Sequence, residues 1–357
     1  MHMADALISP LVGGVMWAAT AGITAYSARR LQANGDDSVV PLMGVLGAFI
    51  FAAQMINFSI PGTGSSGHLG GGMLLSILLG PHAAFLAMAS VLTVQALFFA
   101  DGGLLALGCN IFNLAFFPCF VAYPLIYRPL AGAHASAKRI RVAAIVAAIV
   151  GLQLGALAVV LATFLSGVSE LPFGTFLLLM LPIHLAIGVV EGLLTAAVVT
   201  FVDSARPGML AAAAASRPPL QRGGGRLLAQ LLLLTAITGG LLSWFASTRL
   251  DGLEWAIFHS SGREALSTPA TNTHSLATAL QERTALLPDY SFRQAADSGD
   301  AAAAGDAGEV AGTGSEKAQE WPDVSAATSF SGLLGASLSM LVAGLLGLVL
   351  LRRRQRP

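Results

Sequence analysis

The sequence predicts an all-α integral membrane protein of about nine transmembrane helices, and three observations carry that expectation. Of 357 residues, 55% are hydrophobic and only 11% charged, whereas a soluble domain carries about a quarter charged residues. Long uncharged runs recur, and a helix satisfies its own backbone groups where lipid offers them no partner. The basic residues fall between those runs, as they do in short cytoplasmic loops. A soluble globular enzyme is thereby excluded. The formal net charge is zero, from 19 basic and 19 acidic side chains, so no overall field advertises nucleic acid.

Eight runs approach the ~20 residues that cross a bilayer: Pro10–Ala28, Val39–Phe58, His82–Phe99, Leu104–Tyr127, Ile140–Leu165, Phe176–Phe201, Leu227–Phe245 and Phe330–Leu351. A shorter run, Leu69–Leu79, ends at Gly80-Pro81, where proline lacks an N–H and restricts the residue before it. The arginines and lysines decide whether it counts. Arg29 and Arg30, then Arg128, Lys138, Arg139 and Arg141, then Arg206, Arg217, Arg222 and Arg226, and finally Arg352, Arg353, Arg354 and Arg356 hold 14 of the 19 basic side chains. These groups share one side only if Leu69–Leu79 acts as a crossing. Nine crossings then place the N-terminus, Asn57–Gly67, Asp101-Gly102-Gly103, the loop near Glu170 and the segment after Thr248 outside, with the C-terminus in the cytoplasm of a prokaryotic cell.

A secretory signal peptide is a poor reading of the start, because Asp5 precedes the first apolar run and the arginines follow it. With the bulky His2 in second place, the initiator methionine is expected to stay. Cys109 and Cys119 lie inside apolar runs and are expected to pack rather than pair or bind metal. Three parts follow: a seven-span part, residues 1–206; a cytoplasmic linker, residues 207–225; and a two-span hairpin, residues 226–357. Within the hairpin the outer loop of about 248–329 carries five positive and twelve negative side chains between Arg249 and Asp323. Its tract Asp297–Lys317, rich in Ala, Gly, Asp and Ser, is expected to be disordered.

The chain start has unusual ligand chemistry. The Met1 amine, the His2 amide nitrogen and His2 Nδ1 can close a five-membered and a six-membered ring on one metal ion in one plane. A fourth nitrogen completes a square, which suits Ni(II) or Cu(II) better than zinc. His68, ending the glycine-rich loop that begins at Asn57, is a candidate; the residues alone leave open whether it is a ligand or an interfacial histidine. Asn57 and Ser66 of that loop, with Asp101, Asn110 and Asn113, are candidates to line the site or to balance its charge. Helix capping by Asp101 and interhelical hydrogen bonding by the asparagines, as by Gln54, Gln95 and Gln153, are equally good readings. His184 and Glu191, seven apart on one helix, could relay protons or form a buried polar pair. His82 sits at the far end of its helix, and His134, His259 and His274 are expected in solvated loops. Neither lysine, Lys138 or Lys317, lies in a phosphate-cradling G-x-x-x-x-G-K-[ST] loop.

Several stretches resemble a known family. Met1-His2-Met3-Ala4-Asp5-Ala6-Leu7-Ile8-Ser9-Pro10, Asn57 through the glycines after His68, Ala100 to Asn113, and His184 to Gly192 are similar to the CbiM/NikM membrane substrate-binding component of nickel/cobalt energy-coupling-factor transporters. Leu250-Asp251-Gly252-Leu253-Glu254-Trp255 resembles the PDGLE signature of a NikN-like accessory component, with Leu250 where proline is usual. Cys109 and His82 also depart from the family's common residues. The resemblance implies a square-planar nitrogen site from Met1, His2 and His68 for Ni(II) or Co(II) as transported substrate. It implies no enzyme activity in this chain and no organic cofactor. A transmembrane coupling subunit and cytoplasmic ATPase subunits are implied as partners. A proton-coupled secondary carrier using His184 and Glu191 is the alternative.

Overall fold

The computed structural model describes residues 1–34, 38–132, 136–206, 208–214, 224–263, 266–292, 322 and 324–354. The expected disordered tract Asp297–Lys317 and His134 lie outside them. Among the described residues, six helices are long and apolar enough to cross a bilayer: Pro10–Ala33, Pro81–Phe98, Leu107–Ala131, Ala137–Ser166, Phe173–Ala205 and Ala326–Arg352. They fall within α1 (Pro10–Asn34), α4 (Pro81–Phe98), α5 (Leu107–Ile111) with α6 (Arg128–Ala131), α7 (Ala137–Ser166), α8 (Phe173–Ala205) and α13 (Ala326–Arg354). Two more, α2 (Val39–Gln54) and α10 (Gly225–Gly240), are apolar but have 16 residues each, about 24 Å of rise.

The short run around Leu69–Leu79 differs in kind from a span. Its helix, α3 (Gly72–Leu79), has eight residues, about 12 Å of rise, and irregular backbone from His68 to Gly71, with Gly71 left-handed at φ +79°, supplies the rest of the path. Gly80, at φ +78° and ψ 164°, turns the chain directly into α4 with Pro81 as its first residue, a position where the missing N–H costs nothing. His82 then packs on Tyr26 at 5.3 Å between ring centroids, near Arg29 and Arg30, while the other end of α4 delivers Asp101 beside His2. Broken backbone at this depth is tolerated only where protein groups satisfy it. Three helices provide them. Gly70 and Gly71 donate their N–H groups to Glu191 at 2.9 and 3.1 Å, Gln54 Nε2 donates to the Gly70 carbonyl at 2.9 Å, and Gln95 Nε2 donates to Gln54 Oε1 at 3.0 Å.

Between α5 and α6 the helix continues through Phe112–Tyr127 with wide π-type turns that contain Pro118 and Pro124. The extra residue per turn accommodates rings that lack an N–H and crowd the preceding turn. Ser136 caps α7 by accepting from Arg139 N–H, and α7 packs closely along α8. A Cβ at Gly192 would stand 2.8 Å from Ile145 Cα, and one at Gly188 would stand 3.2 Å from Ile149 Cα. Small residues permit this approach, which is the main source of helix attraction in lipid.

The C-terminal pair shares a core with the rest of the chain. Helices α10 and α13 both pack on α2, and Gly239 meets Gly332 backbone to backbone with no room for a side chain at either. Of the expected linker, α9 (Met209–Ala214) is a short helix beside Gly80, and residues 215–223 lie outside the described ones. The stretch after Thr248 is more structured than its charge suggests, since α11 (Gly252–Ser261) and α12 (Asn272–Thr284) fold over the end of the bundle that carries His2. His274, expected in water, is 1% exposed. The expected glycine loop is an antiparallel hairpin, β1 (Phe58–Ile60) paired with β2 (Ser65–Gly67) and Ser59 opposite Ser66. Gly62 and Gly64 supply the positive φ values of its turn, which side chains disfavour.

Candidate metal centre

The chain start is drawn into the protein by its own backbone. Asn110 grips Met3 at two points: its Oδ1 accepts from Met3 N–H at 2.8 Å and its Nδ2 donates to the Met3 carbonyl at 3.2 Å. Gly103 N–H also donates to the Met3 carbonyl, at 2.9 Å. Asp5 Oδ1 accepts from Ala106 N–H at 2.9 Å, and the backbone of Asp5 crowds Gly103 so closely that any side chain there would collide. Asn113 Nδ2 approaches Met3 Sδ at 3.6 Å. The two asparagines therefore position the terminus rather than line an empty pocket. Losing both Asn110 bonds costs about 1–3 kcal/mol, so Asn110→Ala is expected to weaken metal binding about 10- to 100-fold, measured by equilibrium dialysis; unchanged affinity would remove this role.

With the strap in place, the Met1 nitrogen stands 3.3 Å from His68 Nε2, across 67 residues of sequence. His68 Nδ1 lies 3.0 Å from the Leu69 carbonyl, a contact that assigns the proton to Nδ1 and leaves Nε2 as a bare lone pair facing the amine. Burial, and then the positive charges of the Met1 amine and His2, push the His68 pKa down to about 3, so its ring stays uncharged near neutral pH. The rings of His2 and His68 are stacked 5.0 Å apart and within 4° of parallel. His2 Nδ1 pairs with Asp101 Oδ1 at 3.0 Å, and its Nε2 is buried without a partner. Burial alone would raise the Asp101 carboxyl, but the adjacent His2 charge and hydrogen bond, together with the Tyr290 hydroxyl donating to Asp101 Oδ2 at 2.5 Å, hold it well below the usual carboxylate range. Among the described residues no three His, Cys, Asp or Glu side chains form a metal set. The nitrogen donors here include main-chain atoms.

A residue that sequence reasoning missed completes the site. Asp251 Oδ2 lies 3.3 Å from the Met1 nitrogen and 3.9 Å from His68 Nε2. Its other oxygen caps α11 by accepting from Glu254 N–H at 2.8 Å, and Glu254 Oε2 accepts from Asp251 N–H at 3.0 Å, a reciprocal capping box. Burial opposes ionisation of Asp251, yet the Met1 amine and then His68 hold its carboxyl low. The D-x-x-E spacing made the cap legible; nothing in it showed that the second oxygen would face the chain start.

The C-terminal part also supports the site from behind. Ser66 Oγ donates to the Arg249 carbonyl at 2.8 Å, the Asn57 carbonyl accepts from Ser247 N–H at 2.7 Å, and Trp255 Nε1 donates to the Thr63 carbonyl at 3.0 Å. His274 Nε2 reaches the Ile8 and Asp5 carbonyls at 2.9 and 3.2 Å, which clamps the turn behind the terminus. A cavity of about 660 Å³ opens over His2 and His68; its charged walls are Asp5, Asp101, Asp251, Glu254 and Asp289, and among the described residues no lysine or arginine lines it. Such a surface attracts cations.

His184 and Glu191 take different partners. The His184 ring places Nδ1 2.8 Å from the Met180 carbonyl, whereas Glu191 holds Gly70 and Gly71. Cys109 and Cys119 are buried and free.

A family model described as the cobalt uptake substrate-specific transmembrane region, CbiM, matches residues 2–209. The chain belongs to the CbiM family. A PDGLE domain model matches residues 225–352, so this CbiM chain continues into an accessory domain. Similar to it are a provisionally named metal transport protein of Haloquadratum walsbyi, 39% identical over 59% of this chain and 93% of its own, and the fused nickel transport protein NikMN of Rhodobacter capsulatus, 33% identical over 59% of this chain and 64% of its own. A crystal structure of a truncated transition metal transporter aligns with TM-score 0.51 at 31% identity, covering 57% of this chain and 99% of that one. As a CbiM chain with several apolar helices, it is a multi-pass membrane component of nickel/cobalt transport.

Proposed function

We propose that this chain is the substrate-capturing component of an energy-coupling-factor importer. It takes Ni(II), or else Co(II), at the outer face in a square of four nitrogens: Met1 N, His2 N, His2 Nδ1 and His68 Nε2. The observation that carries the reading is the Met1 nitrogen set 3.3 Å from a histidine lone pair 67 residues away, because an amine nitrogen and a bare imidazole nitrogen at that separation stand as adjacent ligands for one metal ion. Before metal arrives, Asp101 holds the His2 ring by Nδ1. Rotation of the ring away from Asp101, which Tyr290 keeps in place, releases that atom to the metal. The acidic cavity above gathers divalent ions, and Asp251 balances charge at the mouth. A separate transmembrane coupling subunit and cytoplasmic ATPases drive inward delivery, with the His2 end outside and the C-terminus in the cytoplasm of a prokaryote.

The test is the absorption spectrum and affinity of the purified full chain titrated with Ni(II). The reading expects one ion per chain with the diamagnetic spectrum of a planar nitrogen set, lost in His2→Ala; a paramagnetic octahedral ion in the wild type would remove it. Affinity is also expected to fall as pH is lowered from 7 to 5, at least about tenfold per unit, because binding expels the His2 amide proton. His68, already held down to about 3, adds no proton competition in that window. Binding that does not change with pH between 7 and 5 contradicts this site.

A further inference from the structure

The large cavity above the site is not the only space that touches the proposed ligands. A second, small cavity of about 10 Å³, room for about one water-sized body, is lined by Met1, His68 and Asp251 together with His184, Leu114 and Leu152. His68 and Asp251 line both spaces, so they are the partition between them. Within the inner cavity one group is conspicuously unfinished. His184 is fully buried, its Nδ1 is engaged by the Met180 carbonyl, and its Nε2 has no hydrogen-bond partner among the described residues.

A buried nitrogen without a partner is destabilising, and the same helix could have placed leucine there. The arrangement is instead the one that prepares an imidazole for metal: a carbonyl fixes the proton on one ring nitrogen, orients the ring and leaves the other lone pair directed into a space. The Asp251-Gly252 step packs directly on this ring, since a Cβ at Gly252 would lie 3.2 Å from His184 Cε1. Beyond His184 the path meets the Gly70–Gly71 backbone held by Glu191.

We infer that His184 Nε2 is a second metal ligand, the receiving position of the inward transfer step for Ni(II) or Co(II). This deepens the proposed function and rests on it. The step is a ligand exchange: the His184 Nε2 lone pair forms a bond to the metal as the bond from His68 Nε2 breaks, and no proton moves, because Nδ1–H stays on the Met180 carbonyl. The cavity is small enough that His68 and His184 act on the same ion rather than on two.

Pulsed electron paramagnetic resonance of the purified full chain loaded with one equivalent of Cu(II) counts the coordinated imidazoles. The wild type is expected to show two, from His2 and His68. His68→Ala is expected to show two again, with His184 in the vacated position, and the double variant His68→Ala/His184→Gln only one. One imidazole in His68→Ala, or two in the double variant, overturns the assignment. Fewer than two in the wild type sinks the outer site itself, and this inference with it. Should His68→Ala not fold, His68→Gln serves the same comparison. In cells with the transporter's partners, His184→Gln is expected to lower the initial uptake rate at saturating Ni(II) by at least about tenfold; a smaller fall overturns the transfer role.

Discussion

Acetylation of the Met1 nitrogen is expected to lower Ni(II) affinity at least about a thousandfold, close to 4 kcal/mol. The amine is the hinge of the proposed set: it closes the five-membered ring with the His2 amide, and without it the remaining ring nitrogens have no chelate between them. An acetylated nitrogen carries a delocalised lone pair and no longer donates. The modification also removes the positive charge that sits 3.3 Å from Asp251 Oδ2, which leaves a carboxylate facing the site with its partner lost. Equilibrium dialysis of the purified chain, with its start verified by mass, reads the effect. Adding a residue instead is a weaker test, since a histidine in third place still chelates through an amine and two amides. Equal affinity of acetylated and native protein would end the main-chain ligand set.

Glu191→Ala is expected to destabilise the protein by about 2–6 kcal/mol, from two buried N–H groups left unpaired at about 1–3 kcal/mol each. Those groups belong to Gly70 and Gly71, which stand at the start of α3, where the helix dipole favours an acidic partner. Displacing them moves His68, two residues earlier, so metal affinity falls together with the thermal unfolding temperature measured in detergent. Glu191→Gln separates this role from proton carriage. The amide keeps one acceptor, so about half the stability loss is expected and binding is retained. If Glu191→Gln instead preserved stability and binding while abolishing uptake, and uptake survived without ATPase partners, the proton-coupled carrier would be the better account.

The polar residues inside apolar runs show how far sequence reasoning reaches. Each of Gln54, Asn110 and Glu191 could be recognised as costly in lipid and therefore in need of a partner, but none announced that the partner was backbone. Gln54 and Glu191 satisfy the broken strand before α3, and Asn110 satisfies Met3. Helical periodicity places side chains on a face; it is silent about a carbonyl or N–H freed elsewhere. His274 was misjudged for a related reason, because a histidine in a charged segment reads as solvated until the two carbonyls at Asp5 and Ile8 are seen beside it. The reversal at Gly80-Pro81 was legible, since proline and a glycine at positive φ leave few alternatives. The half-length of α3 was not, because an irregular approach to a short helix has the same apolar composition as a span.

By itself the sequence determined that this chain is built of apolar helices that belong in a membrane, and that two family domains are joined. Composition and spacing carry these properties, and lipid enforces them whatever the neighbours do. Tertiary structure alone decided that the accessory part supplies Asp251 and His274 to the chain start, that His68 and Asp251 divide two cavities, and that His184 keeps one nitrogen without a partner. Each of those depends on atoms scores to hundreds of residues apart reaching within about 3 Å, a distance that only the packed helices set.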